Sequence, residues 1–293
     1  IDDYCFYNCP KLKAIKLPKI VNLGSFVFAD CIELENVELN EGLELLNEQT
    51  FLRCDNLVTI NLENIKRIKA CCFFQCEKLK NINLSKIEIL EPYAFARCGD
   101  LTSVILNKEL DTLPEGCFKE CTKLENININ ELVNLRIIQN RCFRKCHKLC
   151  NFGGVENSLS LRDVQIETSV FRECNQLVNV EIINADNFNI SPFMFHSCGL
   201  KRILLPDRID VIINHAFSYM NNLNHIIIPP GTTLSPTCFE NCNGLRYIFL
   251  PNDITIQAAT RTDIFGFILP GLNVIFYDVF DSLENAILVL NNV

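Results

Sequence analysis

The sequence predicts a β-rich solenoid, a chain wound into stacked coils that share parallel sheets, and three observations carry that prediction. A pattern Phe-x-x-Cys-x-x-Leu-x-x-Ile-x-Leu begins at Phe6 and returns at Phe28, Phe51, Phe73, Phe95, Phe118, Phe143, Phe171, Phe195, Phe217 and Phe239, at spacings of 22 to 28 residues. A second pattern fills the rest of each unit, two Ile or Leu three apart and a Phe five residues on, as in Ile65, Ile68, Phe73 and Ile87, Leu90, Phe95. The composition, 48% hydrophobic and 21% charged over 293 residues, is that of a chain with a large core and not of a disordered one.

Each segment has its reason. A unit this short cannot bury its own apolar residues and must stack on its neighbours. Leu-x-x-Ile-x-Leu ends in strand alternation, and eleven such strands stacked about 4.8 Å apart make a parallel sheet roughly 50 Å long. Its inward Leu, Ile and Leu form apolar ladders, with Phe and Cys making two more. Ile1 and Phe6 fit the tail of a half-unit, so the chain is expected to begin inside a repeat, with a cap or further repeats before it. The unit from Phe143 breaks the pattern at Leu149-Cys150-Asn151-Phe152-Gly153-Gly154 and runs 28 residues to Phe171; an insertion there is expected to protrude as a loop. After Leu250 the register decays, leaving Leu272-x-x-Ile275-x-Tyr277 as a candidate last strand. The expected organisation is therefore a solenoid over 1–250, with its aberrant longer unit at 143–170, and a degenerate repeat and cap over 251–293. An open solenoid end must cover its apolar layer and unpaired strand edge.

The motif Cys72-Phe73-x-x-Cys76-x-x-Leu79-x-x-Ile82-x-Leu84, with Pro after the strand at Leu17-Pro18, Leu205-Pro206, Ile228-Pro229 and Leu250-Pro251, resembles the BspA-like class of leucine-rich repeats. The resemblance covers about five-sixths of the chain. It implies a right-handed superhelix with a parallel sheet on its concave face and short strands, turns or 3-10 segments on the convex side. It also implies a non-catalytic protein-binding role, mostly in cell-surface adhesion, and brings no shared catalytic residues. The low glycine content departs from the family pattern, since only Gly24 obviously occupies the second half-unit.

Seventeen cysteines pose a redox or metal question that the repeat converts into one of packing. Ten take the fourth position of the motif (Cys9, Cys31, Cys54, Cys76, Cys98, Cys121, Cys146, Cys174, Cys198 and Cys242), with Met220 replacing the eleventh. Five more precede the repeat Phe (Cys5, Cys72, Cys117, Cys142 and Cys238), leaving only Cys71 and Cys150 without a ladder position. Free cysteine packs as a small hydrophobe, and Cβ atoms about 4.8 Å apart in adjacent coils exceed the usual 3.5–4.5 Å of a disulfide. The nearest approach to a zinc motif, Cys142, Cys146, His147 and Cys150, is read as packing plus a surface His and thiol. No cofactor or metal is expected.

The excess of 35 Asp and Glu over 27 Lys and Arg, a net charge of −8, argues against nucleic acid as a partner. No stretch approaches the ~18 apolar residues of a membrane helix. The four histidines are read as surface or hydrogen-bonded residues, Gly153-Gly154 as a turn, and the triplets Asn83-Leu84-Ser85 and Asn189-Ile190-Ser191 as weak glycosylation signals.

Function is then expected on the outward residues of the strands. One row reads Lys16, Glu38, Asn61, Asn83, Ile105, Asn128, Glu181, Leu204, Ile227 and Phe249. Its neighbour reads Ala14, Asn36, Thr59, Asn81, Ser103, Asn126, Asn179, Arg202, His225 and Tyr247. The Asn rows are read as a side-chain ladder that solubilises the sheet. Arg202, Leu204, His225, Ile227, Tyr247 and Phe249 form the candidate protein-binding patch, open also to self-association. Two functions follow: a cell-surface or secreted adhesion protein, or an intracellular scaffold or regulatory subunit, which free thiols favour.

Overall fold

A computed structural model describes residues 1–153, 158–183, 188–257 and 272–277. The chain forms two compact units, Ile1–Asn157 and Ser158–Val293, each a parallel β-solenoid. In the first unit the Leu-x-x-Ile-x-Leu segments form front strands at Ala14–Lys16, Asn36–Glu38, Thr59–Ile60, Asn81–Leu84, Ser103–Leu106 and Asn126–Ile127. The half-unit Ile/Leu pairs form back strands at Leu45–Leu46, Arg67–Ile68, Ile89–Leu90, Thr112–Leu113 and Ile137–Ile138. Pairing is parallel and in register with the repeat, for example Asn81↔Ser103 and Ile82↔Val104 in front and Arg67↔Ile89 behind. The second unit repeats the plan. Its front strands are Ser158–Arg162, Asn179–Ile183, Arg202–Leu204, His225–Ile227, Tyr247–Pro251 and Asn273–Tyr277; its back strands are Gln165–Ile166, Phe188–Ile190, Ile209–Ile212, Thr233–Leu234 and Thr255–Ile256.

The third side of each coil is a turn centred on the repeat Phe. The Phe rings stack coil on coil, at centroid separations of 5.0 to 5.9 Å from Phe6 to Phe143 and 5.3 to 5.9 Å from Phe171 to Phe239. This is the range in which aromatic pairs attract beyond simple burial. Every repeat Phe is flanked by two left-handed residues, two positions before and two after: Gln49 and Arg53 around Phe51, Cys71 and Gln75 around Phe73, Tyr93 and Arg97 around Phe95. Only Gly116 among these flanking positions is a glycine. A left-handed L-residue costs of order 1 kcal/mol, and what holds it is a third row of coil-to-coil hydrogen bonds. Gln49, Phe51 and Arg53 donate their N–H to the carbonyls of Ala70, Cys72 and Phe74 at 3.1, 2.9 and 2.9 Å. The low glycine content is thus a chain that takes the glycine-type conformation with other residues.

The cysteine ladder has a polar function as well as a packing one. The thiol of Cys76 donates to the Phe51 carbonyl at 3.1 Å, Cys98 to Phe73 at 3.2 Å, Cys121 to Phe95 at 3.1 Å and Cys242 to Phe217 at 2.9 Å. The carbonyls of Phe51, Phe73 and Phe95 already accept the N–H three residues on, as Phe73 does from Cys76 at 3.2 Å, so there the thiol meets a second lone pair inside the core. Thirteen cysteines are buried; Cys5 is exposed, and Cys9, Cys71 and Cys150 are half-buried. Burial pushes the Cys98 and Cys242 thiols up to about 12, because the thiolate would lose its water.

The aberrant unit keeps one bridge, Asn126↔Asn151, and inserts Phe152, 1% exposed, as an inward residue. Asn130 on the short 3-10 helix Ile129–Glu131 donates to the Gly153 carbonyl at 3.0 Å. Residues 154–157, where the protruding loop is expected, lie outside the described residues, as do 258–271 and 278–293 of the expected cap. The expected last strand is present as Asn273–Tyr277, paired in parallel with Tyr247–Pro251.

Candidate binding surface

The front strands place alternate side chains outward. In the second unit the strand pairing sets Ser160, Glu181 and Leu204 in one row and Ser158, Asn179 and Arg202 beside it. Further along, His225 lies opposite Tyr247 and Ile227 opposite Phe249, which is in turn opposite Ile275. Ser158 and Ser160 were not legible as part of this face, because the broken motif before them hides their register.

Of the expected patch, Arg202 is exposed, Leu204 is 39% exposed, and His225, Ile227 and Tyr247 are half-buried. Phe249 is different: it is 3% exposed and lies among the buried side chains. One reason lies in the strand beside it, since Ile275 sits opposite Phe249, and Tyr277 donates its hydroxyl to the Ile228 carbonyl at 2.6 Å. The imidazole of His225 is held below its ordinary value, first by burial and then by the positive charge of Arg202. The patch therefore presents Leu204, Ile227 and Tyr247 around a neutral imidazole and one guanidinium.

The Asn rows of the first unit split in their roles. Asn128 bonds both ways across the sheet, accepting from the Leu106 N–H at 2.7 Å and donating to its carbonyl at 3.1 Å. Asn126 accepts from the Asn151 amide at 2.7 Å, and Asn81 from the Thr102 hydroxyl at 2.9 Å. Asn61 and Asn83 turn their Oδ1 onto the N–H groups of Glu63 and Ser85, both at 3.0 Å. Among the described residues the expected ladder is realised in an amide-to-amide contact between Asn126 and Asn151.

Cys142 and Cys146 are buried ladder residues, the latter donating to the Phe118 carbonyl at 3.1 Å, and Cys150 is half-buried on the front side. Among the described residues no three His, Cys, Asp or Glu side chains gather where a metal could be held. No described helix is long and apolar enough to cross a membrane.

A second cluster lies on the turn side of the second unit, and sequence reasoning missed it. The Arg172 guanidinium lies over the Phe193 ring at 5.1 Å, and Phe193 stacks on His215 at 4.9 Å. Nδ1 of His215 meets Glu240 at 3.0 Å, and Nδ1 of His196 meets the Ser218 hydroxyl at 2.6 Å. The signal available was position, since Phe193 and His215 both stand two residues before a repeat Phe. The Thr237 hydroxyl is 3.4 Å from Nε2 of His215, beyond the roughly 2.6–3.2 Å of an activated nucleophile. The cluster reads as a column tying coils together.

The BspA type leucine rich repeat region matches this sequence in six copies, over residues 1–87, 62–163 and 157–260. Among solved structures the chain is similar to a leucine-rich repeat protein from Bacteroides ovatus, at 20% identity and TM-score 0.58, covering 94% of this chain and 87% of that one. It is also similar to a leucine rich cell surface protein from Faecalibacterium prausnitzii, at 20% identity and TM-score 0.55, covering 98% and 84%. No curated protein matches the sequence. The repeat motif, the coil geometry and the family match agree, and the chain belongs to the BspA-type leucine-rich repeat family.

Proposed function

We propose that this protein is a non-catalytic recognition module that binds protein partners through the front face of its second unit, with Arg202, Leu204, His225, Ile227 and Tyr247 in contact. The observation that carries this reading is Leu204, 39% exposed on a front strand whose charged neighbour Arg202 influences His225. An aliphatic centre ringed by Tyr, Arg and a neutral imidazole has the chemistry of a protein hot spot. Cell-surface adhesion is the setting favoured, supported by likeness of fold to a leucine rich cell surface protein. The same patch offers a route to self-association.

The abundance of cysteines in the core, thirteen of them buried, favours a second setting, an intracellular scaffold or regulatory subunit, because reducing compartments preserve thiols. Beads coated with the protein are expected to adhere to cultured cells, to lose adhesion when the cells are protease-treated, and to lose it with Leu204→Glu. Adhesion equal for wild type and variant overturns the assignment of the patch, and no adhesion with a cytosolic protein on cell fractionation overturns the surface setting.

A further inference from the structure

The front face of the first unit carries a surface of different chemistry. Thr59, Asn61, Asn81 and Asn83 are exposed there, Ser103 and Asn126 half-buried, and Ile105 is 50% exposed among them. These two outward rows hold no formal charge from Thr59 to Asn126.

The amides are oriented by the backbone. A backbone N–H can only donate, so the contacts from Glu63 and Ser85 fix Oδ1 of Asn61 and Asn83 toward the protein. Their Nδ2 groups then face away, and among the described residues they have no partner. Asn81 likewise commits its oxygen to Thr102, and Asn126 commits its own to Asn151. The result is a group of four amides held in place before any ligand arrives, with Asn61 and Asn83 on adjacent coils, a separation of about 4.8 Å, and Asn81 and Asn126 two coils apart on either side of Ser103. Beside them are the hydroxyls of Thr59 and Ser103 and the aliphatic surface of Ile105.

We propose that this face binds a neutral polysaccharide chain lying along the direction of coil stacking. A sugar hydroxyl both donates and accepts, which suits a planar amide beside a hydroxyl. The repeat of the rows is comparable to that of one extended pyranose unit, and Ile105 offers the apolar contact that the C–H face of a sugar ring takes. A nucleic acid or an acidic glycan needs clustered unpaired cations, which these rows lack, and a protein hot spot needs Trp, Tyr or Arg anchors, which they also lack. The inference is independent of the patch around Leu204.

The test uses the full chain expressed in bacteria, run in native gels containing soluble neutral polysaccharides (a mixed-linkage glucan, a xylan, a mannan), with oligosaccharide titration calorimetry on any that retard it. Wild type is expected to be retarded by at least one, with little change at high salt because no charge is involved. The double variant Asn61→Asp, Asn83→Asp keeps the oxygen that caps Glu63 and Ser85 but removes both outward donors. It is expected to stay folded by circular dichroism and to bind about tenfold or more weakly. Leu204→Glu is expected to bind the glycan as wild type does. No retardation by any neutral polysaccharide, undiminished binding by the folded double variant, or loss of a protein partner instead of a glycan overturns the proposal.

Discussion

Replacing Phe95 by alanine is expected to cost about three times as much stability as the same change at Phe6. Phe95 is fully buried and stacked on both sides, 5.0 Å from Phe73 and 5.9 Å from Phe118. Truncation of a buried Phe costs about 3–5 kcal/mol, and the loss of two ring contacts places Phe95 toward the upper half of that range. Phe6 is half-buried and stacks only on Phe28, at 5.4 Å, so less area and one contact are lost, about 1–2 kcal/mol. Urea unfolding followed by circular dichroism reads the difference. With m of about 2–3 kcal/mol/M, Phe95→Ala shifts the midpoint by about 1.5 M and Phe6→Ala by about 0.5 M. Hydrogen exchange at Asn81–Leu84 and Ser103–Leu106 should rise only for Phe95→Ala, since coupling in a repeat stack runs between neighbours. Equal shifts for the two variants, or a cost below about 1 kcal/mol at Phe95, would refute the stacked-core account.

Gly116→Ala is expected to destabilise by about 1–3 kcal/mol, because φ is +56° and the new Cβ would overlap the Tyr93 ring; in a double-mutant cycle Tyr93→Ala should recover part of that loss. Stability should fall steeply above pH ~9, at up to about 1.36 kcal/mol per pH unit for each buried thiol. The sign follows from linkage: Cys98 and Cys242 titrate at about 12 when folded and lower when unfolded, so the unfolded chain sheds protons first, and thermal unfolding at pH 8 and pH 10 measures the loss. The His225 imidazole should titrate below its ordinary value by NMR, and Arg202→Gln should raise it by removing the second of its two causes. Because the folded value is depressed, this group's contribution is present above the unfolded value and lost as pH falls below it.

The repeat was legible because its chemistry is written once per coil: a Phe that stacks, a Cys that fills and an alternating strand. Legibility failed where the backbone takes over. The left-handed pairs, such as Gln49 with Arg53, follow no residue preference, because the hydrogen bonds to the next coil fix them and not the side chains. Phe249 read as outward by alternation, yet its burial depends on neighbours outside its own unit, among them Ile275 on the next front strand, which no local pattern in that unit records. Ser158 and Ser160 were hidden for the opposite reason, since the strand persists after the motif that should announce it has lapsed. The orientation of the Asn61 and Asn83 amides depends on the N–H two residues later, a turn geometry beneath the resolution of the repeat pattern.

The central claim is that the residues giving this chain its character are core, leaving recognition to the outward strand positions, and thiol counting tests it most directly. Native protein treated with a thiol reagent should label four cysteines quickly, Cys5, Cys9, Cys71 and Cys150, and the remaining thirteen only on denaturation. Rapid labelling of ladder cysteines such as Cys76, Cys98 or Cys121 in the native state, or their recovery as disulfides, would contradict the account.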